Sequence, residues 1–568
     1  MISRSVRMVF HWLWLAATLP LWLPLLLLGP GRYSIVRVEI ATPLPELGRA
    51  AGLARFFKKP RLGLWEIYEL LRACRRDRGV RAVHLVFAGA FDAGTATAQT
   101  LARLIDSARA TGVKVLVSAD FLDSRLLLAA ARADRIAMPP AAPVFVPGHS
   151  AEVPFVADLL DSLGVRVETV RIGEYKTAAD SLVQSDLSSA HREMLQSLLA
   201  DLQEQYVASV AEGRRLDPAK VRELAGRAYF DSDEAKEAGL VDRILYPDQV
   251  DDWLKEETGA PARTVDAARF LARHRRLAAL RRHLAGGRPR IAVLLAEGMV
   301  LSEKSRRVSP RAVLSAESLS GAFKAARKIP SIRGAILRVN SPGGSGAESE
   351  LLWREVSRLA EEKPVVVSMG DVAASGGYYF AAPARRILAL PGTLTGSIGV
   401  LSGKLDLSRA LARFGVRVAR LAASPGASLF SPSRPFDREG FATVDRQTRR
   451  FYSLFLSRVA EGRGLTVEEV DALGQGRVWT GKQAQAARLA DAVGGLEEAV
   501  AVARELAGLG PEEPVDLVFC QPAQPMNLRR LLLGRSAAET LLEPLAPAAL
   551  ALLSPEPLAW WPEAGTIR

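Results

Sequence analysis

The chain has 568 residues, too many for one ordinary core and enough for two domains of about 200–250 residues with appendages. Hydrophobic residues at 49% and charged residues at 24% exclude a mostly disordered or fibrous chain. The net charge of +13 conceals a sharper imbalance, since 62 of the 75 basic residues are Arg and only 13 are Lys. Arg stays charged and Lys can deprotonate, so each lysine in this chain is worth a question.

Cys74 and Cys520 lie 446 residues apart and make neither a disulfide framework nor a metal knot. The six histidines end at His283, so any site built wholly in the second half must work without imidazole.

The first element in chain order is Met8–Leu28, about 21 residues without a charge, preceded by Arg4 and Arg7. That length spans a hydrocarbon core as a helix, even with Pro20 and Pro24 inside it. The run ends LLLLGPGRYS rather than at a small-residue cleavage site, so a retained anchor is expected rather than a cleaved signal peptide. Arg4 and Arg7 are balanced by Arg32 and Arg37, which makes charge a weak guide to orientation. The expectation is a short cytoplasmic N-terminus with the bulk of the protein beyond the membrane.

The remainder repeats itself. Val113–Pro140 lies over Pro364–Pro391 at a shift of 251, and Leu159–Val167 lies over Ala410–Val418 at the same shift. Val80–Phe87 matches Ile332–Val339 at 252, while VAEGRRL (Val210–Leu216) matches VAEGRGL (Val459–Leu465) at 249. EAGLVD (Glu237–Asp242) falls on AARLAD (Ala486–Asp491) at that last shift too. An offset that drifts so slowly marks two copies of one domain. Each copy reads helix (LWEIYELLRAC; LSGAFKAARKI), short apolar strand (AVHLVF; GAILRV), amphipathic helix, then a second buried strand (VKVLVSA; PVVVSM). That grammar predicts an α/β fold with mostly parallel pairing.

The expected organisation is an anchor over 1–31, a first repeat over 32–262, a basic helical connector over 263–289, a second repeat over 290–520, and a Pro/Ala/Leu-rich tail over 521–568. Connector and tail read as a solvated link and a loosely docked end, with anionic lipid headgroups as the functional alternative. Nucleic acid is not expected, because no recognition motif accompanies the charge.

The copies differ where chemistry would sit. In the second copy one strand ends VNSPGGSGAES, carrying Gly343 and Gly344, and the next ends GDVAASGGYYF, carrying Ser375 before Gly376 and Gly377. Two such turns leaving neighbouring parallel strands can converge backbone N–H groups of Gly344 (or Gly343) and Gly376 on one serine, as an oxyanion hole. Gly-Gly turns are common, so either motif alone carries little; their pairing carries more. The first copy reads Ala90–Phe91–Asp92 and Ser124–Arg125–Leu126 at these places, and Ser124 is taken as a remnant.

The missing histidine requires another base. The first copy supplies Lys176 in RIGEYKTAAD, just after the strand-like Val165–Ile172, where the second copy has Ala427. One copy keeps the lysine and the other the serine, as expected of a single composite site. A lone lysine is ordinarily a solvated surface side chain; this reciprocity and the chain's preference for Arg argue otherwise. Bringing its pKa from about 10.4 to near 7 costs roughly 4–5 kcal/mol, supplied by burial. Ser397, in LTGSIGV, is placed to orient the amine as the third member of a triad does.

With NSPGG, GDVAASGGYY, TGSIGV and GEYK, the chain resembles the bacterial signal peptide peptidase A (SppA) family in its long tandem form, over nearly its whole length. The resemblance implies two domains like those of the Clp protease/crotonase superfamily. It puts the nucleophile on Ser375, the general-base lysine on Lys176, the lysine-positioning serine on Ser397 and the oxyanion glycines on Gly344 and Gly376. It further implies a membrane-attached homotetramer in the bacterial inner membrane, its site facing the periplasm, that degrades cleaved signal peptides and needs no metal or nucleotide cofactor. Two rivals stand beside this serine endopeptidase: a crotonase-type acyl-thioester enzyme, and an inactive scaffold that organises membrane proteins.

Overall fold

The computed structural model describes residues 33–40, 42–48, 61–259, 261, 263–285, 288–307, 313–511, 513–520 and 558–560. The expected anchor Met8–Leu28 lies outside them, as does most of the tail after Cys520. Among the described residues no helix is long and apolar enough to cross a membrane. The chain divides into two compact units, residues 1–148 with 206–289, and residues 149–205 with 290–568. The segment 149–205, which is part of the first copy in sequence, therefore belongs to the unit that holds the second.

The first unit is built on a parallel sheet in the order Thr264–Asp266, Ile35–Ile40, Ala82–Phe87, Lys114–Ala119, Arg135–Met138, Arg243–Ile244. Its central strand AVHLVF is buried almost throughout, as a continuous apolar run must be when both faces are covered. The helix Thr95–Arg109 buries Leu101, Leu104, Ile105 and Ala108, the stripe that 3.6 residues per turn requires. The basic connector departs from expectation. It does form a helix, Ala267–Ala285, but Thr264–Asp266 is an edge strand of this sheet, and Phe270 and Leu271 are 3% and 2% exposed. Two large apolar side chains on an otherwise Arg-coated helix are enough to dock it.

The second unit has a main sheet in the order Val478–Thr480, Leu394–Gly396, Val365–Ala374, Ile332–Ser341, Arg290–Glu297, Asp516–Cys520. Along this path pairing is antiparallel only between Leu394–Gly396 and Val478–Thr480. Leu337, Val367, Phe380 and Phe455 lie in the core cluster built on this sheet. A second sheet runs Val313–Leu314, Met299–Val300, Gly343–Ser345, Leu558–Trp560, Val400–Asp406, Arg166–Ile172. Its last pairing is antiparallel and continuous from Val400 opposite Ile172 to Asp406 opposite Arg166.

The best-preserved words of the repeat have a common physical cause. In the first unit the Asp242 carboxylate accepts from Ile136 N at 2.8 Å and from Arg214 Nη1 at 2.9 Å. In the second, Asp491 accepts from Ile387 N at 2.7 Å and pairs with Arg463 at 2.9 Å. Each pair ties the end of a 26-residue helix to a sheet strand. The glycine before each arginine permits close approach: a Cβ on Gly213 would meet the Ala131 carbonyl oxygen at 2.5 Å, and one on Gly462 would overlap that of Ala382.

Gly321 provides the contrast, being exposed in the middle of the helix Ala316–Lys328 with nothing near its missing Cβ. Gly321→Ala is expected to stabilise the protein by about 0.5–1 kcal/mol. Gly462→Ala is expected to destabilise it by roughly 1–3 kcal/mol, because rigid backbone occupies the space. Urea unfolding of both variants checks the opposite signs.

Candidate active site

The strands Ile332–Ser341 and Val365–Ala374 run side by side and parallel, and a helix, Gly376–Ala381, starts directly beyond the second. Ser375 forms the corner with φ 54° and ψ −117°, a strained conformation for a residue with a side chain. Its N–H donates to the Gly396 carbonyl and its carbonyl accepts from Tyr379 N, both at 2.8 Å, which holds the corner in place. A Cβ on Gly377 would lie 2.6 Å from the Ser341 carbonyl oxygen, so the corner helix sits directly on the end of the neighbouring strand.

Gly343 and Gly344 do not form an open loop. They belong to the short strand Gly343–Ser345, paired with Met299–Val300 on one side and Leu558–Trp560 on the other. A Cβ on Gly344 would overlap the Val300 carbonyl, so these glycines serve close strand approach as well as turning. The corner helix contacts this strand, which places Gly344 and Gly376 on adjoining segments.

The lysine arrives from the strand Arg166–Ile172. Lys176 Nζ lies 2.8 Å from Ser375 Oγ, 3.1 Å from Ser397 Oγ and 3.3 Å from the Ser397 carbonyl oxygen. Lys176 is 1% exposed, and Ser375 and Ser397 are 0% exposed. All three lie in the same compact unit. The structure thus brings together Lys176, Ser375 and Ser397 and places Gly376 next to the serine. A buried amine against a hydroxyl on a strained corner is an arrangement suited to taking that hydroxyl's proton.

Two supports escaped sequence reasoning. One is the turn Gln475–Arg477. Gln475 accepts from Tyr175 N at 2.7 Å, Arg477 accepts from Ser397 N at 2.7 Å, and Gly476 N donates to Ile398 at 2.8 Å. It therefore holds the lysine loop and the Ser397 loop at once. A Cβ on Gly476 would overlap the Lys176 backbone. The available signal was GQGR (Gly474–Arg477) standing where the first copy reads AGRA (Ala225–Ala228). The other support is Asp180, 1% exposed, which accepts from Arg171 Nη1 at 2.7 Å and Ser188 Oγ at 3.1 Å and lies 3.7 Å from His191 Nδ1. It links the lysine strand to the start of the helix Ser189–Arg214. Burial raises its pKa, and Arg171 pulls it back.

The first copy shows what became of its counterpart site. Asp123 accepts from Phe91 N at 2.7 Å and from Leu126 N at 2.8 Å. These N–H groups stand opposite Gly343 and Gly377, so a built-in carboxyl group sits beside the positions that correspond to Gly344 and Gly376. Burial pushes the Asp123 carboxyl up, opposed by those two N–H donors. Ser124 Oγ meanwhile accepts from Gly148 N at 2.9 Å.

The model of Peptidase family S49 matches residues 107–260 and again residues 357–510. Serine protease SPPA of the chloroplast of Arabidopsis thaliana is 34% identical over 385 residues, which cover 67% of this chain and 56% of that protein. Protease 4 of Salmonella typhi is 30% identical over 455 residues, covering 78% of this chain and 72% of its own. Protease 4 of Haemophilus influenzae is 29% identical over 410 residues, covering 70% and 65%. The chain thus spans just over half the length of the chloroplast relative.

Burial pushes the His191 imidazole down to about 4, against roughly 6.5 in an unfolded chain. Between those values the unfolded state binds more protons, so acidification from pH 6.5 to 4 removes stability, by up to about 3 kcal/mol. Urea unfolding over that window is expected to show a shallower loss in His191→Asn than in the natural protein.

Proposed function

The chain belongs to peptidase family S49, and from that premise we propose that it is a membrane-anchored serine endopeptidase working through a Ser375–Lys176 dyad. The observation that carries this reading is the 2.8 Å approach of Lys176 Nζ to Ser375 Oγ in a fully buried setting. Burial disfavours the ammonium form. A neutral amine has two hydrogens and one lone pair; donation to Ser397 Oγ and the Ser397 carbonyl leaves the lone pair for the Ser375 hydroxyl.

In this reading Ser375 Oγ attacks a peptide carbonyl as its proton passes to Lys176. The N–H groups of Gly344 and Gly376 receive the oxyanion. The lysine ammonium then protonates the leaving amine, and the peptide bond breaks to leave an acyl-serine. Water, activated by the same amine, releases the acid and restores the hydroxyl. Ser397 orients the lysine without touching the substrate.

Substrates in this proposal are cleaved signal peptides and other hydrophobic peptides in extended conformation. The run Met8–Leu28 would hold the protein in the bacterial inner membrane with its catalytic unit outside the cytoplasm, and the family resemblance favours a homotetramer. The length of that run supports the anchor.

Lys176→Arg keeps the charge and removes the base, and Ser375→Ala removes the nucleophile. Each is expected to lower kcat on an apolar peptide by at least about a thousandfold. Fluorophosphonate labelling of Ser375 should disappear with Ser375→Ala and slow strongly with Lys176→Arg. A Lys176→Arg enzyme that still cleaves at the natural rate sinks the dyad.

A further inference from the structure

Arg477 offers a side chain as well as a backbone to the turn that holds the Ser397 loop. Its guanidinium carbon lies 4.8 Å from the centre of the Tyr175 ring and 4.9 Å from that of Trp479. Both distances fall within the ~6 Å at which a cation is attracted to an aromatic face. Arg477 Nη1 also donates to Glu193 Oε1 at 2.8 Å, and Tyr175 Oη donates to Glu193 Oε2 at 3.1 Å. A carboxylate in the first turns of the helix Ser189–Arg214 thus bridges the two side chains. The bonds from Arg477 and Tyr175 hold the Glu193 carboxyl below the ordinary carboxylate range, so it stays ionised at neutral pH.

Each ring leads to one half of the dyad. Tyr175 adjoins Lys176, and its N–H donates to the Gln475 carbonyl at 2.7 Å. Its side chain packs against the cluster that contains Met194, Leu195, Leu394 and Ala374, the residue before Ser375. Trp479 donates its indole N–H to the Leu473 carbonyl at 3.1 Å, and its Cδ1 lies 2.7 Å from where a Cβ on Gly396 would stand. The Gly396 carbonyl is the group that holds Ser375 N, and the Arg477 carbonyl holds Ser397 N. One arginine therefore ties together the loops that bear Lys176, Ser375 and Ser397.

An arginine at this place does not by itself produce the arrangement. GRAYF (Gly226–Phe230) stands in the first copy where GRVWT (Gly476–Thr480) stands in the second, so Arg227 corresponds to Arg477. Arg227 lies 4.6 Å over the Phe230 ring and pairs with Glu234, both neighbours in sequence. Arg477 instead takes Tyr175 and Glu193 from the segment 149–205, which is the segment that brings the base.

We propose that Arg477 is a positioning residue for the general base: stacked on Tyr175 and Trp479 and paired with Glu193, it keeps Lys176 Nζ in place between Ser375 and Ser397. It touches neither the substrate nor the reacting atoms. The proposal rests on the peptidase reading of Ser375 and Lys176. A displacement of about 1 Å in such a contact can cost a hundredfold in rate, so a clamp on the loop acts on the chemical step and not on substrate affinity.

The test compares full-length variants by kcat and KM on an apolar fluorogenic peptide and by the rate of fluorophosphonate labelling at Ser375. Arg477→Met keeps the stem and removes the cation; it should lower kcat and labelling about thirty- to a hundredfold, with KM within about twofold. Arg477→Lys keeps a cation for Glu193 and the rings, and should recover about tenfold of that loss. Tyr175→Leu should resemble Arg477→Met, and the double variant should be no slower than the slower single, because both act through one contact. Glu193→Gln alters an exposed side chain, keeps the fold under test and should slow labelling about threefold, the scale of an exposed ion pair. The urea unfolding midpoint of each variant reports folding separately. Natural rates in Arg477→Met, Tyr175→Leu and Glu193→Gln overturn the proposal, as does a raised KM at unchanged kcat or a loss that multiplies in the double variant. Lys176→Arg separates the two levels. Natural labelling in that variant defeats the dyad itself, whereas its loss beside a natural-rate Arg477→Met defeats only the positioning role.

Discussion

A lysine amine held 2.8 Å from a serine hydroxyl, with both side chains buried, is the contact on which this architecture depends. Burying an amine is expensive, and a misplaced one would find no water to replace a lost partner. The surroundings answer that cost by fixing both sides. Ser375 is locked by backbone bonds to Gly396 and Tyr379, while the lysine loop is pinned by Gln475 and, through Asp180, by Arg171 and Ser188. The Gln475–Arg477 turn also holds Ser397. Displacing the Ser397 loop disturbs two of the lysine's contacts together, because both oxygens belong to one residue.

Duplication followed by divergence explains how such a contact arises. Both copies kept the Gly–Arg of the long helix and the Asp that receives it, since these join helix to sheet wherever the fold occurs. The corner that bears Ser375 in the second copy was under no such requirement in the first. There the Asp123 carboxyl group accepts from the N–H groups of Phe91 and Leu126. An acidic side chain held beside the corner would oppose a developing oxyanion. The first copy's lasting contribution is the segment that bears Lys176.

How far this was legible in the sequence follows from the kind of constraint involved. Parallel strands such as AVHLVF and PVVVSM announce themselves, because burial on both faces demands a continuous apolar run. Lys176 could be singled out because the second copy has Ala427 there, Ser375 because its flanking glycines are lost around Ser124, and Ser397 from its place in LTGSIGV. Asp180 and Gly476 gave weaker signals: their work is done through backbone groups and neighbours distant in sequence, which no local pattern encodes. The strand character of Gly343–Ser345 was hidden for a related reason. Two glycines suggest a loop until the strands on either side are known. Phe270 and Leu271 were likewise masked by the arginines around them, although two apolar residues suffice to dock a helix.

The composite origin of the second unit has a physical consequence of its own. Arg166–Ile172 pairs along the full length of Val400–Asp406, so it both carries the lysine and covers a sheet edge. Without it the strand after the Ser397 loop would present open N–H and C=O groups, an invitation to pair with another chain. Lys404, buried on that strand with its ammonium against the carbonyls of Leu429, Ser431 and Arg434, would lose the shelter that Arg166–Ile172 and Glu168 help to provide. The serine-bearing copy is therefore incomplete in structure as well as in chemistry when separated from residues 149–205. One interaction, strand to strand, couples the two: any change that freed the first copy's segment would expose an edge and remove Lys176 from Ser375 in the same step.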